Sequence, residues 1–293
     1  MELRWKASFS ASCLHAAACL SEGLAGIDTA IAAILQPASD ELLRELRACD
    51  LAVESTLPLL VALAAECENN RQLIELAVRR TQGAGSVGEA TISRLGGCIA
   101  DLEAAWLREQ PTLVDELAIR GRPLREHWEA RGPGLLHVLT KLTVENFIAP
   151  SAEVVLVSPW VGGHGRAHLL SNRVTFEAVL TNPDPELPET LRLAWLLAQL
   201  NLDVPVLSEP IVPHGLPRLA SLATLPLVLA AAETVDLATC DEATLARAIA
   251  CWHLAPPLSD ETPRRLLDWW HAYTARDTRW PVAMVALDQM LSE

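Results

Sequence analysis

The sequence predicts a predominantly α fold of the α+β kind: a helical N-terminal half, then a helical C-terminal half that carries a small antiparallel sheet. Three observations predict it. Residues 10–145 read as successive helices, with apolar residues recurring at three- and four-residue spacing. Only two runs, Glu153–Ser158 and Arg173–Leu180, have the β-branched texture and the length of strands. Finally, 51% of the 293 residues are apolar and 20% charged, so the chain can bury a sizeable core. The texture changes near residue 150, dividing a helical region, 1–150, from an α+β region, 151–293, with the two able to pack as one unit.

The elements follow in order. Ser39 is placed to cap a helix whose Leu42, Leu43, Leu46, Leu51 and Val53 lie at helical spacing, and Pro58 is expected to end or kink it. A helix near 59–81 would bury Leu60, Leu63, Leu73 and Leu76 and close on Arg79 and Arg80, which suit a helix C-terminus. Residues 82–88 hold three glycines and read as a connector. Helices are expected near 89–108, 111–120 and 122–131, and after Gly132-Pro133-Gly134 another over 135–145. In the second strand Val174, Phe176 and Ala178 alternate with Arg173, Thr175 and Glu177, which predicts one buried and one polar face. An apolar helix over 191–200, a proline-punctuated loop over 203–217 and a buried helix over 219–235 follow. Helices through Trp252 and over 261–275 and 281–291 end the chain. Trp252, Trp269, Trp270 and Trp280 belong to this last part, as core residues or as an oligomer interface.

Charge and composition exclude several functions. With 37 acidic and 23 basic residues the formal charge is -14. Residues 1–150 hold 20 acidic and 14 basic residues and residues 151–293 hold 17 and 9, so neither half offers the basic face that phosphate binding needs. No nucleic acid is expected as a partner. The best apolar runs, 57–65 and 222–232, fall short of a membrane span of about 18 residues, so no membrane is expected either. Seven cysteines without a CxxC pair point to reduced thiols and a cytoplasmic chain.

The segment with most chemistry is Trp160-Val-Gly-Gly-His-Gly-Arg-Ala-His168, between the two strands. A glycine-rich turn after a strand invites a phosphate-loop reading, but GxxxxGK[ST] is absent and His168 occupies the third glycine of GxGxxG. The gap between the strands is also short for a helical parallel crossover, which favours an antiparallel pair joined by a long loop. His164 and His168 have the i, i+4 spacing of two metal ligands on a helix, with Glu177, His214 or Glu233 as a third. Gly165 argues against a helix there, and the simpler expectation is an exposed, mobile glycine loop with two unrelated histidines. Accordingly, no metal and no cofactor are assigned. His127-Trp-Glu129 lacks the PCxxC that a zinc deaminase requires, and no GxSxG elbow occurs.

Read in order, the parts form a pattern. Helix residues up to Leu136 lead to strand 153–158, a Gly-Gly loop, strand 173–180, an apolar helix from Pro188-Glu189-Thr-Leu-Arg192, and a later helix carrying Glu233. This order resembles the catalytic core of gluzincin-type zinc metallopeptidases over roughly residues 120–240. The resemblance implies Glu189 at the general-base position and Glu233 at the third-ligand position. The two histidine positions of HExxH fall on Pro188 and Arg192, neither of which holds zinc. It therefore implies a scaffold that has lost zinc, with Arg192 paired to Glu189 or Glu233.

The function expected from sequence is a non-catalytic binding or interaction protein, possessing no assigned catalytic residue and taking a protein or peptide partner. Its candidate binding residues are Gly162, Gly163, His164, Arg166, His168, Glu177, Glu189, Arg192 and Glu233. The alternative is a metal-dependent hydrolase with an atypical site drawn from His164, His168, Glu177, Glu189, His214 and Glu233.

Overall fold

Strands need both edges paired or covered, and the two β-branched runs find partners at the N-terminus and inside the glycine loop. The computed structural model describes residues 1–83, 88–254, 258–276 and 278–292. Four strands, β1 (Glu2–Ala7), β2 (Ser151–Val157), β3 (Gly165–His168) and β4 (Arg173–Glu177), form one sheet in the order β1-β2-β4-β3. β1 pairs with β2 and β2 with β4 in parallel; only β3 and β4 are antiparallel.

The sheet is thus mixed, and the expected antiparallel pairing of 153–158 with 173–180 is corrected to a parallel one. The connection needs no crossover helix. It leaves β2 through a loop over 158–164, forms β3, and returns through a 3-10 turn, Leu169–Ser171, into β4. β3 takes the far side of β4, which leaves β2 beside β4 in parallel. The N-terminal strand was not expected, although Leu3 and Trp5 alternate with the exposed Glu2 and Arg4 as a half-covered edge strand should.

The helices preceding β2 are α1 (Phe9–Ser21), α2 (Thr29–Ala48), α3 (Val53–Ala64), α4 (Asn70–Gln82), α5 (Glu89–Glu109) and α6 (Leu113–Leu142). After β4 come α7 (Glu189–Gln199), the one-turn α8 (Pro205–Ser208), α9 (Leu216–Thr234), α10 (Glu242–Cys251), α11 (Thr262–Thr274) and α12 (Trp280–Ser292). Asp28, not Ser39, caps α2, accepting from the Ala30 and Ile31 amides at 3.0 Å; Ser39 lies buried inside the helix. The span expected near 59–81 is divided between α3 and α4, with the Asn69 side chain capping the second. The three helices expected over 111–145 are one, α6, which runs through Pro123 and Pro133. Within it, Gly121 lets the backbone close on Leu156 of β2. Residues 84–87 of the expected glycine connector lie outside the described residues.

Helices cover both faces of the sheet. Leu156 and Phe176 are register partners and face α6 and α7, while Thr175 and Glu177 face α1 and α3. Thr175 and Glu177 have no exposed surface. The polar face expected for β4 is therefore closed, as happens when parallel strands are sandwiched between helices. Among the described residues α9 is the one helix long and apolar enough to cross a membrane, and it is mostly buried inside the fold. The C-terminal tryptophans are used internally. Trp269 Nε1 donates to the Ala283 carbonyl at 2.7 Å, Trp280 meets Phe147 edge-on at 4.8 Å, and all four rings are buried.

Candidate functional site

Glu177 ends β4 on the face toward α1, where a carboxylate without partners would be very costly. The loop between β2 and β3 supplies them. Its backbone turns back on itself through positive φ at Gly162 (+83°) and Gly163 (+143°), values that favour glycine. A Cβ at Gly163 would also lie 2.8 Å from the Cys251 carbonyl. Five successive amides then point inward. Glu177 Oε1 accepts from Trp160 N at 2.9 Å, Val161 N at 3.1 Å and His15 Nε2 at 2.9 Å. Oε2 accepts from Gly162 N and Gly163 N at 2.8 Å and from His164 N at 3.1 Å. This is the geometry of a backbone anion nest, and the anion it holds is a side chain of the same chain. The exposed, mobile loop expected from the glycines is corrected accordingly: Gly163 and His164 are buried, and the loop is tied down by Glu177.

Charge within the cluster follows from these bonds. Burial raises the Glu177 carboxyl, but the His15 bond and charge and the Gly163 amide outweigh it and hold the group well below the usual carboxylate range. For His15, burial works downward and is outweighed by Cys19 and then Glu177, which push the imidazole up to about 10. His164 goes the other way: burial, followed by the His15 charge and that of Arg166, holds it well below the usual histidine value, so it is neutral. Its ring lies 5.3 Å from that of His15 and 6.5 Å from that of His253. His168 does not join them. Its Nε2 is 2.7 Å from Thr175 Oγ1, and burial with the Arg166 and Arg173 charges pushes it down to about 3.

On the opposite face α7 contributes Arg192, which has no exposed surface. Its guanidinium donates to the His164 carbonyl, to the Glu177 carbonyl at 2.9 Å and to the Glu189 carboxylate one turn earlier. It also lies 3.8 Å from the Phe176 ring centroid, a cation–π contact in a dry interior. Burial raises the Glu189 carboxyl against the pull of Arg192. The carbonyl that ends the glycine loop and the one that ends β4 are thus clasped by one side chain.

The remaining candidates from sequence lie elsewhere. Arg166 pairs with Glu22. Glu233 is exposed at the end of α9 and accepts from the Cys240 amide at 3.2 Å, so Arg192 meets Glu189 rather than Glu233. His214 is exposed on the loop before α9.

No protein family, characterised protein or solved structure matches the chain.

Sequence reasoning missed His15 and Cys19. Both belong to α1, capped at Ser8 and buried over 11–19, and Cys19 Sγ lies 3.6 Å from His15 Nε2. Their His-x3-Cys spacing is the signal that would have paired them. Together with His164, Arg166, His168 and Thr175 they line a cavity of about 10 Å³.

Proposed function

We propose that this chain is a non-catalytic binding or interaction protein whose polar cluster serves architecture rather than turnover. The observation that carries the reading is the saturation of Glu177: six N–H donors occupy its two oxygens. A general base needs a lone pair facing substrate across an open site. Here the carboxylate is fully buried and the adjoining cavity has room for about one water. Arg192 is committed in the same way to two carbonyls and Glu189.

The Glu189–Arg192 pair, at the positions of the general base and the second histidine, supports a degenerate metallopeptidase-like scaffold as part of this reading. The partner is a protein or peptide. Val204, Val206 and Val212, in and beside α8, are among the exposed apolar side chains available to meet it. Seven free cysteines support a cytoplasmic setting.

The competing hydrolase reading is tested by assaying the purified protein on peptide, ester and phosphoester substrates, with Glu177→Gln and Glu189→Gln beside it. No turnover above buffer is expected from any of the three. Wild-type turnover lost in both variants would overturn the proposal.

A further inference from the structure

Holding the glycine loop accounts for Glu177, for Arg192 and for one nitrogen of His15. It leaves Cys19, His15 Nδ1 and His164 Nδ1. His164 is 6% exposed and its Nδ1 has no hydrogen-bond partner. An unpaired polar atom in the interior is destabilising, so a structure that keeps one calls for a reason. Cys19 Sγ is 4.0 Å from His15 Nδ1. One donor atom from each of His15, Cys19 and His164 lies within 4.8 Å of the others, and all three residues line the small cavity between α1, α3 and β3.

The geometry points to a buried metal site at His15, Cys19 and His164 for a thiophilic divalent transition-metal ion, zinc being the occupant its donors fit. Zinc bonds of about 2.3 Å to sulfur and about 2.0–2.1 Å to nitrogen, set tetrahedrally, separate neighbouring S and N donors by about 3.6 Å. The 4.0 Å between Cys19 Sγ and His15 Nδ1 needs only a small side-chain adjustment to reach that. Glu177 completes the logic. With Nε2–H donating to its carboxylate, His15 offers Nδ1 to the ion, and a carboxylate behind a ligating imidazole fixes both tautomer and ring orientation. Two imidazoles and a thiolate exclude magnesium and calcium, which take oxygen ligands. Binding displaces the Cys19 thiol proton and any proton on His15 Nδ1 to solvent. The thiolate and the Glu177 carboxylate then offset the two charges of the ion. Such an ion would tie α1 to the glycine loop. It is structural in role and independent of the non-catalytic reading, which survives whether the site binds or not.

The test uses the full-length protein stripped with chelator, incubated with zinc or cobalt(II), desalted, and measured for metal content and optical spectrum. One equivalent of zinc per chain is expected. The cobalt form should show a thiolate-to-cobalt charge-transfer band and tetrahedral ligand-field bands. Both should fall to the blank in Cys19→Ser and in His164→Gln, and persist in Cys67→Ser, whose thiol lies outside the cluster. Wild-type protein that retains no metal, a cobalt spectrum without the thiolate band, or full binding by both variants would overturn the site. The wild-type stoichiometry and spectrum decide the matter even if a variant fails to fold.

Discussion

Replacing Glu177 by Gln keeps the shape of the side chain and removes one acceptor oxygen with the charge. If the amide oxygen stays where Oε1 is, it keeps Trp160, Val161 and His15, and the new NH2 group faces the amides of Gly162, Gly163 and His164. Three donors then point at a donor. Each stranded buried amide costs about 1–3 kcal/mol, reduced where the loop relaxes, and breaking a buried ion pair costs about 3–5 kcal/mol. A loss of about 4 kcal/mol is expected, or roughly 10 °C in Tm for a chain of this size. Calorimetry reads the total, and amide hydrogen exchange localises it. Exchange at residues 160–164 should accelerate strongly while α9, on the far side of α7, stays protected. A loss below about 1 kcal/mol with the 160–164 amides still slow would show that the carboxylate is not what holds the loop, and the reasoning would fail.

Arg192→Met keeps volume but removes one of the two donors on each of the His164 and Glu177 carbonyls and leaves Glu189 without its cation, so urea unfolding should show a loss of about 3–5 kcal/mol. Gly163→Ala meets both a φ of +143° and the Cys251 carbonyl, for an expected cost of about 1–3 kcal/mol; an unchanged melting temperature would contradict the loop geometry. Glu153 is raised by burial but lowered overall by Lys6 at 2.7 Å and Arg173 at 2.5 Å. Its folded pKa is thus below the unfolded value of about 4.3, so its stabilisation is full above that pH and is lost as pH falls through the folded value. Wild type and Glu153→Gln should therefore differ by up to about 1 kcal/mol at neutral pH and converge in acid; a gap that widens on acidification is the contrary result. Trp280→Ala opens the aromatic core against Phe147 and Trp269 and should cost about 3–5 kcal/mol, read by calorimetry.

The helices were legible because most bury one stripe of Leu, Ile and Ala against a neighbour, while α1, α7 and α9 are apolar on nearly every side. Their ends were less so: Pro123 and Pro133 lie inside α6, where burial of Leu117, Leu124, Trp128, Leu135 and Leu139 along one side keeps the helix continuous. Strand pairing was illegible for a different reason. Parallel register between β2 and β4 depends on where β3 goes, and four residues, Gly165–His168, carry no strand signal of their own. Arg192 and the glycine loop were found because a buried-looking helix with one arginine, and three glycines around a histidine, both break a local rule. Glu177 was found as a candidate but put on a solvent face, since alternation reports two faces and not what covers each. His15 and Cys19 disappeared into an alanine-rich helix that satisfies every local rule.

The cluster has an architectural origin that can be followed step by step. Once β3 occupies the far side of β4, the chain must pass from β2 to β3 through a loop without regular structure, at the buried end of the sheet. Such a loop brings five amides with no strand or helix to receive them. A carboxylate at the end of the neighbouring strand receives all five. That places a negative charge in a dry interior, and the charge in turn requires His15 from α1 on one side. The carbonyls of His164, which ends the loop, and of Glu177, which ends β4, each accept one backbone amide and take a second donor from Arg192 of α7 on the other side. Glycine at 162 and 163, Glu177, the His15 Nε2 proton and Arg192 are thus one consequence of one topological choice. None of that chain of necessity reaches His164 Nδ1. An apolar residue at 164 would satisfy the architecture equally well, and a thiol and an imidazole with an unpaired nitrogen lining the same cavity are what an ion would require there.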